Sequence, residues 1–292
     1  MELELKRGGR TARVETLGGE LVSYRDERGL EYIWGGDPAY WPGRNPLLFP
    51  IVGMLKEGKI RFDGREYAME RHGFARRREF TPAARGEDWV RLELRESAET
   101  LALYPYSFRL AVEQRLTDTG FSTAVTVANP GEGPLPFCLG AHTGFRCPLE
   151  AGERFEDYEL VFPERESCPT LLLRDGLLDR PAALPCLEDT DTLPLDYRWF
   201  DALDTLIFEG LRSRSVALRS RKSGRGVRVS FDGFPMLAFW TMPGKKAPYL
   251  CIEPWHGCSA GTGEGEEFTS KADCIVLAPG ESRTLAYRAD TL

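Results

Sequence analysis

Acid–base chemistry has few carriers in this chain. Its 292 residues include three histidines, His72, His142 and His256. Each is flanked by residues that bend or thin the backbone: Glu70-Arg71-His72-Gly73-Phe74, Leu139-Gly140-Ala141-His142-Thr143-Gly144-Phe145 and Glu253-Pro254-Trp255-His256-Gly257. Glycine beside an imidazole lets another backbone or a ligand approach closely, although a lone histidine is equally a satisfied core or surface residue. Glu253 is the most informative carboxylate. It follows the apolar run Tyr249-Leu250-Cys251-Ile252, which reads as a buried strand ending at the glutamate, and Pro254 and Trp255 come directly after it. Partial desolvation there raises a carboxyl pKa and suits the group to general-base work; a salt-bridged strand-end glutamate is the plainer alternative. Trp255 is either core filler or a platform for a sugar, whose C–H faces stack on rings while its hydroxyls seek polar partners.

Other catalytic signatures are missing. There is no GxSxG, HExxH or GxxxxGK[ST] motif and no dinucleotide fingerprint at a strand–helix junction. The seven cysteines, Cys138, Cys147, Cys168, Cys186, Cys251, Cys258 and Cys274, are odd in number and contain no CxxC pair. That argues against both a disulfide framework and a zinc motif, and they read as reduced, mostly buried residues.

The elements that must position these groups are strands. Phe108, Leu110, Val112, Gln114 and Leu116 alternate with Arg109, Ala111, Glu113 and Arg115, and the run Phe121–Val127 alternates again after Asp118-Thr119-Gly120. This pattern predicts an antiparallel hairpin. Similar short runs occur at Ile60–Phe62, Trp89–Leu94, Tyr158–Phe162, Ser215–Arg219, Val227–Phe231, Leu237–Trp240, Tyr249–Ile252 and Ile275–Leu277, with many of the 30 glycines and 20 prolines between them. One stretch reads as helical, capped by Ser97 and running through Glu99 to about Tyr104, where Pro105 stops it. The proline-rich span from Cys168 to Pro194 reads as a long irregular excursion within a single domain covering residues 1–292. A large antiparallel β-sandwich is the expected fold.

Composition narrows the setting. A 42% hydrophobic content supports a large core, and the net charge of −7 disfavours nucleic acid and anionic membrane surfaces as partners. No segment has 18 uncharged apolar residues, and the charged start MELELKRGGRTARVE lacks the apolar run of a secretory signal. Cytoplasm is the expected location.

Six ordered segments carry a resemblance: Asn45-Pro46-Leu47-Leu48-Phe49-Pro50-Ile51-Val52-Gly53, Arg71-His72-Gly73-Phe74-Ala75-Arg76, Tyr104-Pro105-Tyr106-Ser107-Phe108, Gly140-Ala141-His142-Thr143-Gly144-Phe145, Phe200-Asp201-Ala202-Leu203-Asp204-Thr205-Leu206-Ile207-Phe208 and Cys251-Ile252-Glu253-Pro254-Trp255. Together they resemble the aldose 1-epimerase (galactose mutarotase-like) family, in particular its bacterial LacX-like branch, from about residue 3 to residue 288. The resemblance implies a β-supersandwich with a sugar in an open groove, and interconversion of α- and β-anomers of an aldose as monomer or homodimer without cofactor or metal. It implies His142 as general acid, Glu253 as general base, His72 at the sugar ring, and Asp204 (or its neighbour Asp201) on sugar hydroxyls. One departure is visible: the family commonly has an arginine after Pro50-Ile51-Val52-Gly53, where this chain has Met54. Lys56, Arg44 and Arg76 are candidates to replace it.

Three rival functions remain at this level. A hexose-6-phosphate mutarotase needs a basic cluster, for which Arg76-Arg77-Arg78 is the one dense candidate. A non-catalytic sugar binder can use the same fold. A glycosidase normally needs two carboxylates astride the bond, and the pair here is His and Glu.

Overall fold

The computed structural model describes residues 1–292. Strands hold about 52% of the residues and helices about 8%, so the fold is all-β as expected. The expected hairpin is present: Arg109–Leu116 pairs antiparallel with Gly120–Ala128 around the turn at Asp118 and Thr119. Its alternation is physical, because Leu110, Val112, Gln114 and Leu116 are buried while Arg109 is exposed and Ala111, Glu113 and Arg115 are half-exposed. Gln114 earns its buried place by donating to the Gly19 carbonyl and accepting from Thr123.

The short strands assemble into one 15-stranded antiparallel sheet, flanked by three small sheets. Tyr158–Arg174 joins its two halves. The start of that strand pairs with Ser215–Ser220, and further along Leu171 pairs with Ile207 of Thr205–Glu209. One connected core of 73 buried residues, from Leu3 to Ala289, lies beneath.

Two expectations need correction. The span Cys168–Pro194 is not irregular: Tyr158–Arg174 and Leu177–Pro194 form a long hairpin turning at Asp175 and Gly176. Four register shifts interrupt its pairing, and Pro163, Pro169, Pro181 and Pro185 lie within its strands. Bulges and prolines destroy the period-two pattern by which a strand is read from sequence. The helix at Ser97 is real, with a reciprocal capping box to Thr100, but it spans only Ala98–Leu101. A second helix, Tyr197–Leu203, was not anticipated; Asp196 caps it by accepting from the Arg198 N–H.

Some glycines are required by close backbone approach. A Cβ on Gly73 (φ +69°) would meet the Phe49 carbonyl oxygen at 2.2 Å, whereas one on Gly64 (φ +75°) would meet nothing within 4 Å. Both alanine substitutions carry the left-handed penalty of about 1–2 kcal/mol. Gly73→Ala adds a clash with main chain and should lose clearly more stability than Gly64→Ala in urea denaturation; equal losses would show that the Phe49–Gly73 contact is not tight.

Candidate active site

The strand Tyr249–His256 is the spine of the site. On one side it pairs with two very short strands in a single register: Leu139 and Gly140 face His256 and Trp255, and Thr143 and Gly144 face Ile252 and Cys251. Carrying that register across the gap sets Ala141 opposite Pro254 and His142 opposite Glu253. The ladder opens at this point, beside Pro254, which has no N–H to donate, and His142 lies in the opening between Leu139–Ala141 and Thr143–Arg146. Glu253 is therefore not at a strand end, as its sequence context suggested, but well inside a strand paired on both sides.

On the other side Ala238 faces Glu253, Trp240 faces Cys251, and Thr205 faces Trp240. Because side chains at i and i+2 share a face, His142, Glu253, Trp255, Trp240 and Thr205 project from one surface of the sheet. The two glycines flanking His142 make room on it. A Cβ on Gly140 would meet Trp255 Cδ1 at 2.9 Å, and one on Gly144 would meet Trp41 Cζ3 at 3.1 Å. Trp41, packed there, stacks on the His142 imidazole at 4.8 Å between centroids, and Trp240 meets the same ring edge-on at 5.6 Å.

His142 Nε2 lies 3.3 Å from Glu253 Oε1. Both residues are buried, Glu253 to 1% exposure. His142 Nδ1, Glu253 Oε2 and Trp255 Nε1 are shielded from solvent without an aligned hydrogen-bond partner. Burial pushes the Glu253 carboxyl well above its ordinary range; the nearby Trp255 indole N–H works against this, and Asp204 adds to it. Burial likewise depresses the His142 imidazole to about 3, with Arg76 and Arg71 contributing repulsion. The contact thus has ion-pair distance, but desolvation favours the uncharged forms of both partners, and we regard the neutral pair as the resting state.

His72 joins from a different part of the chain. It sits in a left-handed turn at φ +67°, and its Nδ1 accepts from the Gly53 N–H at 3.0 Å while its own N–H donates to the Gly53 carbonyl at 2.9 Å. A neutral imidazole that accepts at Nδ1 carries its hydrogen on Nε2. Burial, then His142, Arg76 and Arg71, hold its pKa well below 6.5. Its ring meets that of His142 edge-on at 5.7 Å.

Asp204 is the residue directly after the unanticipated helix, at φ +62° and ψ −63°. This is a rarely populated conformation that surrounding structure must impose, and the Thr205 hydroxyl donates to its carboxylate at 2.8 Å. Asp201 faces elsewhere, accepting from the Gly244 N–H. His72, His142, Asp204, Glu253 and Trp255 all line one open pocket of about 50 Å³. The remaining residue read from sequence, His256, is outside it and contacts the Asp273 carbonyl.

Gly53, Thr205 and Trp240 also line it, and Arg71, Leu173 and Ser259, which no sequence signal singles out as site residues, complete the wall. Leu173 is brought by the long hairpin, whose tip is tied down where the Leu178 N–H donates to the Ala260 carbonyl and the Thr262 N–H to the Leu178 carbonyl. The Asp-Gly step at 175–176 was a readable hairpin signal. None of the candidates for the missing arginine reaches the pocket. Lys56 donates to the Glu264 carbonyl, Arg44 contacts Gly35 and Glu15, and Arg76 donates to the Arg71 carbonyl. Arg77 and Arg78 are paired with Glu70 and Glu99. Arg71 itself is at the pocket, its guanidinium 2.8 Å from the Met54 sulfur and bonded to no carboxylate. Its position directly before His72 is its only mark in the sequence.

Comparison with known proteins agrees with this architecture. The profile of the aldose 1-epimerase family matches residues 1–289. The plasmid-borne and chromosomal LacX proteins of Lactococcus lactis subsp. lactis are each 40% identical over 295 residues, covering 98% of either chain. A galactose mutarotase related enzyme from Lactobacillus acidophilus superposes with a TM-score of 0.95 at 26% identity, covering 100% of this chain and 97% of that one. A galactose mutarotase-like protein from Lactobacillus casei gives 0.93 at 27% identity with full coverage of both. The broken strand pairing that sets a buried histidine against a buried glutamate thus lies within a chain that belongs to the aldose 1-epimerase family.

Proposed function

We propose that this protein is an aldose 1-epimerase that interconverts the α- and β-anomers of a hexose by His142/Glu253 proton transfer. The observation that carries the reading is the buried pair 3.3 Å apart at the floor of an open pocket. Between them the two groups hold one proton. With that proton on His142, Glu253 is a carboxylate able to take the proton of the C1 hydroxyl while the imidazolium protonates the ring oxygen. The C1–O5 bond breaks, and the open-chain aldehyde is left beside protonated Glu253 and neutral His142, the arrangement burial favours. Rotation about C1–C2 and reversal of both transfers closes the ring on its other face. Each positioned proton transfer is worth about 10²–10⁴-fold in rate.

The neighbouring groups suit a polyhydroxylated substrate. Asp204 offers a carboxylate and His72 an Nε2–H to hydroxyls, while Trp255 and Trp240 offer apolar surface. Arg71 fills the place left by Met54: its guanidinium has a thioether where a carboxylate would neutralise it, and so keeps its hydrogen-bonding capacity for sugar oxygens. The triplet Arg76-Arg77-Arg78 is already engaged by backbone and carboxylates, which favours an unphosphorylated sugar over a hexose 6-phosphate. The sugars acted on in this reading are free hexoses of the cytoplasm.

Glu253→Gln and His142→Asn should each slow anomer exchange by roughly two to four orders of magnitude, the range of a lost general acid or base. Sugar binding should survive far better than rate, and exchange NMR with thermal melts decides the matter. A folded Glu253→Gln variant with full rate would end the mechanism. Arg71→Gln should weaken binding by about tenfold or more, as loss of a charge-assisted hydrogen bond of roughly 1.5–3 kcal/mol implies, with a smaller change in kcat; calorimetry reporting unchanged affinity would remove Arg71 from the site.

The pH profile follows from the sign of the Glu253 shift. Activity requires the one-proton pair, and a raised carboxyl pKa means that this proton leaves only at a pH above the ordinary value of 4.5. The enzymatic rate, corrected for solvent catalysis, should therefore hold through the ordinary carboxylate range and fall as pH rises through the elevated Glu253 value. A rate that instead climbs between pH 4 and 5, as an unperturbed carboxylate ionises, would contradict the burial argument.

A further inference from the structure

Cys251 is adjacent to the proposed chemistry and unused by it. It precedes Glu253 by two residues on the same face of Tyr249–His256 and is fully buried. One ligand atom each from His142, Cys251 and Glu253 lie within 4.8 Å of one another, and His142 Nε2 to Glu253 Oε1 is 3.3 Å. A tetrahedral zinc ion with bonds of about 2.0–2.3 Å separates its ligands by roughly 3.3–3.8 Å. The nitrogen–oxygen edge is thus already formed, and the sulfur is within a small side-chain adjustment of the third corner. The second carboxylate oxygen, Glu253 Oε2, is also buried without an aligned partner and is free to share in ligation.

We propose that His142, Cys251 and Glu253 form a zinc-class metal site at the floor of the sugar pocket, and that its occupation switches proton transfer off. Imidazole, thiolate and carboxylate together select zinc or cobalt over magnesium or calcium, which prefer all-oxygen shells. Three protein ligands leave a fourth position open toward the pocket for water. Binding displaces the Cys251 thiol proton and the proton shared by His142 and Glu253, so two protons leave as one divalent ion enters; no oxidation is involved. The lone pairs that would move protons are then bound to metal. The metal site stands on geometry alone, whereas the inhibitory consequence rests on the mutarotase reading. Sequence spacing gave no warning, because the ligands come from two segments more than a hundred residues apart.

Chelator-treated protein titrated anaerobically with cobalt(II) tests the site. One equivalent should produce a thiolate-to-cobalt charge-transfer band in the near ultraviolet. Cys251→Ser should abolish the band and weaken binding at least tenfold, and His142→Asn should weaken it likewise. Wild-type protein without the band, or a Cys251→Ser variant that keeps it through another thiol, would overturn the proposal. Thermal melts verify folding, and should Cys251→Ser unfold, Cys251→Ala with His142→Asn decides by the same readout. In the activity arm, zinc should suppress anomer exchange reversibly by chelator, and Cys251→Ser should need at least tenfold more zinc for the same suppression. Equal zinc sensitivity of the two proteins would refute the switch. Absence of exchange in metal-free wild type would instead defeat the mutarotase reading while the cobalt band still judges the site.

Discussion

Everything at this site depends on one cross-strand placement: His142 opposite Glu253, at the step where the ladder opens beside Pro254. An intact ladder would pair the backbone through His142 as it does on either side. The opening lets an imidazole and a carboxyl meet over the sheet surface, at 3.3 Å, without either being at a loop tip. Strand pairing to both sides of Tyr249–His256 holds the glutamate, and the aromatic enclosure of Trp41 and Trp240 holds the histidine. A site on paired strands is positioned more rigidly than one on loops, as proton transfer over short distances requires.

Desolvation then sets the chemistry. Two ionisable groups buried together resist carrying opposite charges unless hydrogen bonds compensate, and here Glu253 Oε2 and His142 Nδ1 have no such compensation. The charge-separated and neutral forms differ by the position of a single proton. In the proposed reaction, a sugar whose C1 hydroxyl and ring oxygen lie between the groups would offer hydrogen bonds to both, so that binding itself would bring the reactive form within reach. The proposed divalent ion would compete for the same two groups.

Much of this was legible in the sequence where structure is local. Period-two alternation located the hairpin of Arg109–Leu116 and Gly120–Ala128, and glycines around His142 and the apolar run before Glu253 pointed to the candidate site. What was illegible is set by pairing between distant segments. That Glu253 is mid-strand depends on Leu139–Arg146 bridging past Pro254, which no local pattern records. The long hairpin is illegible in the sequence because bulges and prolines erase its alternation, although Asp175-Gly176 marks its turn. Arg71 is no more conspicuous in the sequence than the denser run Arg76-Arg77-Arg78, and only the fold separates them, pairing Arg77 and Arg78 with Glu70 and Glu99 while Arg71 lines the pocket. The seven-residue helix before Asp204 is too short for periodicity to reveal.

The claim that burial holds His142 and Glu253 as a neutral pair sharing one proton can be read directly from the imidazole. Nitrogen-15 NMR of histidine-labelled protein without sugar, with His142 assigned by its substitution, reports the protonation of each ring nitrogen across pH. The account predicts a neutral His142 at pH 7 that stays neutral as pH falls well below 6.5, toward about 3. An imidazolium already present at neutral pH, or titrating near 6.5, would contradict it.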